Sequence, residues 1–167
     1  MAKAKNTSTI QDQNPIASLP LQVHGQYIKD LSFETPGPFH QTPNEGPSIN
    51  LNVEVRVKPF NDNTFEVELQ ISAEATQKEG RLFILELCYA GIFGVGDIPQ
   101  ETIRPLLLIE CPRLLFPYAR AIVSEITRDG GFSPLSIAPV DFAEIYRQQG
   151  DQVQQFNPVD NGATLDS

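Results

Sequence analysis

The run Ile49-Asn-Leu-Asn-Val-Glu-Val-Arg-Val-Lys58 alternates without exception: Ile49, Leu51, Val53, Val55 and Val57 are apolar, and every residue between them is polar. Successive side chains of a strand point to opposite faces, so this run predicts a strand with one buried and one wet face. Phe65-Glu-Val-Glu-Leu-Gln-Ile-Ser-Ala73 repeats the alternation, and Asn61-Asp-Asn63 between the two runs suits a tight turn. Together they predict an antiparallel hairpin. Residues 27–33 and 82–93 add two more strand candidates, the second denser in apolar residues.

After residue 98 the period changes. Residues 99–110 and 112–129 suit helices, with Pro112 at a first-turn position where its missing N–H is harmless and Gly130-Gly131 as the stop. Leu115, Ala119, Ile122 and Ile126 form an apolar stripe at helical spacing. Residues 132–139 read as an extended, proline-punctuated crossover. Asp141 then caps a last helix to about residue 149, with Phe142, Ile145 and Tyr146 inward. Residues 91–96, containing Gly91, Gly94 and Gly96, read as a sheet-to-helix turn. The expected class is α+β, a four-stranded antiparallel sheet with helices packed on one face.

Both ends are polar and aperiodic. The expected organisation is a disordered N-terminal tail over residues 1–20, one folded domain over 21–149, and an acidic disordered tail over 150–167, where Asp151, Asp160 and Asp166 have no basic neighbour. Lys3 and Lys5 are not followed by the apolar stretch of a signal peptide, and no segment approaches the ~20 apolar residues of a membrane span. A cytoplasmic protein without direct membrane insertion is expected. A net charge of −9 disfavours nucleic acid and points to a basic partner.

Catalytic apparatus is not visible. Cys88 and Cys111 have neither metal-ligand nor multi-bridge spacing and read as reduced, mostly buried thiols. His24 and His40 sit near Gly or Pro with no Ser or Cys partner at motif spacing. The glycines of residues 91–96 match neither G-x-G-x-x-G nor a P-loop. No enzyme activity, cofactor or metal is expected.

The acids are more informative. By alternation Asp30, Glu34, Glu54, Glu66, Glu68, Glu74 and Glu86 all take the side of their strand opposite the apolar one. In a sheet with one buried face they meet on the outer surface, opposed mainly by Arg56 and Lys58. Such a face serves solubility or docks a basic partner. Leu82 and Ile84 fall on the same side as Glu86, and an apolar centre rimmed by charge has the makeup of a small interface. Residues 106–109 and 114–116 and the crossover's Phe132, Leu135 and Ile137 hold more apolar bulk than one thin sheet–helix layer hides. An oligomer interface, a binding groove or both are expected.

Four segments carry a resemblance: Tyr27-Ile-Lys-Asp-Leu-Ser-Phe-Glu-Thr-Pro36, Ala90-Gly-Ile-Phe93, Cys111-Pro-Arg-Leu-Leu-Phe-Pro-Tyr-Ala-Arg120 and Gly131-Phe-Ser-Pro-Leu-Ser-Ile-Ala-Pro-Val-Asp-Phe142. In content and order they are similar to the SecB family of bacterial export chaperones, across essentially the whole folded region. The resemblance implies a SecB-like sheet-and-helix fold assembled as a homotetramer, a dimer of dimers. It also implies ATP-independent binding of unfolded preproteins, which are kept translocation-competent and delivered to the SecA motor. Carried over by position, SecA-binding residues are Asp30, Glu34, Ile84 and Glu86, with Ile84 where a leucine is expected. Phe132, Leu135, Ile137 and Ile145 are expected to line part of the client groove. A SecB-like chaperone dedicated to one client, such as an antitoxin, and a non-chaperone interaction module are the alternatives.

Overall fold

The alternating runs fold as four long strands. In a computed structural model, which describes residues 20–37 and 46–150, these are β1 (Leu21–Glu34), β2 (Ser48–Asn61), β3 (Thr64–Gln77) and β4 (Gly80–Val95). His40 and nearly all of both expected tails lie outside the described residues. The sheet order is β1-β4-β3-β2, with every neighbour antiparallel. The β2–β3 turn places Asn63 at φ 55°, a left-handed conformation that Asn tolerates better than most residues.

Register decides what each face carries. Val53 pairs with Ile71, Val55 with Leu69 and Val57 with Val67 on the inner face, while Glu54 meets Gln70, Arg56 meets Glu68 and Lys58 meets Glu66 on the outer one. β1 has bulges between Val23 and Gly25 and between Ile28 and Asp30. An extra residue resets the alternation, so Ile28 can pair with inward-facing Tyr89 while Asp30 pairs with outward-facing Cys88. A third irregularity, where Thr76 pairs with Arg81, corrects one expectation: Leu82 packs against the core rather than standing beside Ile84 outside.

Residues 91–96 are not a turn either, because β4 continues through Val95. The glycines mark close approaches. A Cβ on Gly91 would lie 2.6 Å from the Phe93 ring and 3.0 Å from Leu115 Cδ2, and one on Gly94 would lie 2.4 Å from His24 Nε2.

The helical layer starts with α1 (Gln100–Pro105), continues through a π-helical turn, Leu106–Glu110, and runs on as α2 (Cys111–Asp129). The expected break before Pro112 does not occur. Proline cannot donate, and its ring crowds the carbonyl four residues back; the wider turn ahead of it, in which the Cys111 N–H reaches the Leu106 carbonyl, relieves that crowding. α2 ends where Gly131 takes φ 90°. α3 (Phe142–Gly150) is capped as expected, with Asp141 Oδ1 accepting from the Glu144 N–H at 3.1 Å.

α2 lies across β3 and β4. Its buried stripe runs through Leu115, Ala119, Val123 and Thr127, with Ile122 and Ile126 half-buried beside it. The stripe is therefore rotated by about one residue from the one drawn through apolar positions alone. Phe132 closes one end of the core, its ring centroid 4.9 Å from Phe83 and 6.1 Å from Phe33. Burying a side chain of this size contributes roughly 1.5–3 kcal/mol.

Candidate docking and client-binding surfaces

All seven acids singled out by alternation belong to the outer face. Cross-strand pairing puts Glu34 opposite Ile84 and Asp30 opposite Cys88, with Glu86 between them in sequence along β4 and opposite Ser32. Asp30, Glu34, Ile84 and Glu86 thus form one patch on two adjacent strands. Beside it, Asp30, Glu86, Glu54, Arg56, Asn52 and Gln70 border a shallow depression of about 260 Å³.

The acids differ in their company. Glu68 is almost fully buried, and Lys29 and Lys58 donate to its Oε1 at 2.5 and 2.7 Å. Lys29 and the Tyr27 hydroxyl also donate to Glu66. Burial acts to raise the Glu68 pKa, but the two ammonium groups outweigh it and bring the carboxyl down to about 2. Bonds to Glu66 and Glu68 raise Lys29, and burial with the Glu66 bond takes Tyr27 up to about 12. Farther along the face, Glu54 pairs with Arg56 at 3.2 Å and Glu74 with Arg81 at 2.6 Å. Asp30, Glu34 and Glu86 have no ion-pair partner among the described residues.

Alternation alone does not place Lys29 among these acids. The β1 bulge carries it to the outer face beside its neighbour, contrary to strict alternation, and no composition signal marks a bulge.

On the inner face the helices cover the central strands and leave the edges partly bare. Val23 and Ile28 of β1 are 47% and 48% exposed, and Ile49 and Leu51 of β2 are 37% and 39% exposed. Ile28 pairs with Tyr89, whose ring stacks on exposed Tyr118 at 6.2 Å. The four residues expected to meet a client are divided: Phe132 and Ile137 are buried, whereas Leu135 and Ile145 are half-buried and present surface. Ile49 and Leu51 belong to the apolar face by alternation, but alternation identifies the face and not its cover.

Burial raises both thiols, Cys111 to about 12, away from the thiolate a nucleophile needs. Among the described residues no cluster of His, Cys, Asp and Glu is arranged to hold a metal ion, and no helix is long and apolar enough to cross a membrane.

Comparison with known proteins agrees with this architecture. The sequence model of the family described as preprotein translocase subunit SecB matches residues 12–153. Protein-export protein SecB of Paramagnetospirillum magneticum is 52% identical over 139 residues, covering 81% of this chain and 89% of that protein. The Hyphomonas neptunium protein of the same name is 50% identical over 139 residues, covering 82% of each. Among solved structures, the Mycobacterium tuberculosis Rv1957 SecB-like chaperone, in complex with a ChAD peptide from the Rv1956 HigA1 antitoxin, superposes with a TM-score of 0.61. That match covers 72% of this chain and 91% of the other at 16% identity, a likeness of fold.

Proposed function

The chain belongs to the SecB family of protein-export chaperones, and from that premise we propose that it holds unfolded preproteins on its apolar inner-face surface and passes them to SecA through the outer face of its sheet. The observation that carries the SecA half is the patch of Asp30, Glu34 and Glu86 around Ile84, acids without an ion-pair partner among the described residues beside an apolar side chain on the outer sheet face. A basic partner segment finds there both unneutralised charge and a small area to bury. The relatives named protein-export protein match over about four-fifths of the chain, which favours a general export role over a single dedicated client.

Client binding rests on apolar area. Leu135 and Ile145, with Ile49 and Leu51 of β2, are accessible to an extended chain, whereas Phe132 and Ile137 support the crossover from beneath. Each contact is small, since apolar burial contributes roughly 25 cal/mol per Å², and a long client gains affinity by meeting many such surfaces at once. A tetramer built as a dimer of dimers multiplies them. The bare edge strand β1, with Val23, Ile28 and the neighbouring Tyr118, is the surface that supports such assembly. Selection against native proteins is steric, because a folded protein has already buried its apolar segments. The reading includes a cytoplasmic location, no use of ATP and no catalysis.

Light-scattering mass tests it. The protein alone should have the mass of a tetramer and should form a stable complex with a slowly folding preprotein added unfolded, but not with the same preprotein added native. SecA should then add to that complex. A particle that ignores unfolded chains would overturn the proposal.

A further inference from the structure

Thr127 is the fully buried polar residue of α2, at the last position of the stripe that otherwise packs Leu115, Ala119 and Val123 on the sheet. Valine has nearly the same shape, so packing alone does not call for a hydroxyl here. The hydroxyl faces two ways. It donates back to the Val123 carbonyl at 2.9 Å, with the Ser124 carbonyl at 3.1 Å, and it accepts the backbone N–H of Leu135 at 2.9 Å. The Thr127 carbonyl accepts the Phe132 N–H at 3.0 Å. One helical residue therefore ties down two points of the crossover, and a weaker surface tie joins Arg120 Nη2 to Ser136 Oγ at 3.0 Å.

Those ties act on a segment without regular structure that lies between α2 and α3. Phe132 and Ile137 are held by burial, but Leu135 is only half-buried, and its backbone position depends on the Thr127 hydroxyl. We propose that Thr127 is a positioning residue for client binding: its side chain latches the crossover to α2 and so holds Leu135 ready at the rim of the apolar surface. This rests on the reading of the crossover as client surface. Without the hydroxyl, the Leu135 N–H loses its partner, the segment around it gains freedom, and a client must order that segment as it binds.

The test compares wild type, Thr127→Val and Thr127→Ser, with amide hydrogen exchange as one readout and affinity for a reduced, carboxymethylated, permanently unfolded protein as the other. Thr127→Val should speed exchange at Leu135 by about tenfold while leaving Phe132, which bonds the backbone carbonyl, unchanged. It should weaken binding of the unfolded probe about fivefold, and Thr127→Ser should restore both. Unchanged exchange at Leu135, or faster exchange with unchanged affinity, would sink the latch. The wild type alone supplies a control independent of folding of the variant, because a Leu135 amide that exchanges as fast as that of exposed Ser133 also refutes it. If the wild type binds no unfolded probe, the client reading fails, while exchange at Leu135 still decides whether Thr127 restrains the crossover.

Discussion

At the end of the outer sheet face nearest the β2–β3 turn, Glu66 and Glu68 are held by Lys29, Lys58 and Tyr27; Asp30 at mid-sheet, and Glu86 and Glu34 beyond it toward the opposite end, stand without ion-pair partners among the described residues. Both ends are rich in carboxylates and lie on the same four strands. What separates them is where the ammonium groups reach. At the first end charge is consumed internally and contributes to stability. At the second it remains available to a partner, and a neutralised neighbour confines the negative field to that half.

If that contrast is right, removing the cations should be the most damaging change. Lys29→Met with Lys58→Met leaves Glu68 buried and unpaired, and we expect a loss of about 3 kcal/mol in denaturant unfolding, much of it recovered by adding Glu68→Gln. A loss below about 1 kcal/mol would show that the network is ornamental, as exposed pairs usually are.

Acid should dissect the same end more gently. The Glu68 carboxyl titrates at about 2 in the folded chain against 4.5 for an unperturbed glutamate, so its contribution is complete above about pH 4.5 and is lost as pH falls through 2. Allowing for screening by water around the partly exposed lysines, we expect about 2 kcal/mol of acid-dependent stability that is absent from the Lys29→Met, Lys58→Met chain. An identical acid limb in both chains would contradict the assignment.

The open end should respond in function rather than stability. Asp30→Asn, Glu34→Gln and Glu86→Gln together should weaken SecA docking by about tenfold, leave unfolding within about 0.5 kcal/mol of wild type, and spare affinity for unfolded chains. Equal loss of both affinities would merge the two surfaces that are kept apart here. The smallest effect is ionic: raising salt from about 0.05 to 0.15 M should weaken SecA docking a few-fold and leave stability nearly unchanged, because exposed charges are screened more than the buried Glu68 pair.

The same contrast marks how far the residues could be read unaided. The faces of Asp30, Glu34, Glu54, Glu66, Glu68, Glu74 and Glu86 follow from alternation, which depends only on neighbours in the chain. Leu82 defeated that rule because an irregularity in strand pairing lies beside it, and Lys29 escaped it for the same reason. In the helical layer a search for apolar residues missed Thr127, since a polar side chain enters a buried stripe only when a partner, here the Leu135 N–H, satisfies it. The glycines of residues 91–96 resembled a turn because glycine's lack of a side chain reads the same whether it permits a bend or the approach of Leu115 and His24.

By itself the sequence determined the strands, the helices, the side of the sheet that is acidic and, through four resembling segments, the family. Those are local properties, written in period and in contiguous motifs. The strand order, the bulges, the lysines that neutralise one half of the acidic face, the exposure of Ile49 and Leu51, and the tie between Thr127 and the crossover belong to the tertiary structure. Each depends on residues brought together from distant parts of the chain, where the packing of two elements, and not the pattern of either, sets which groups meet.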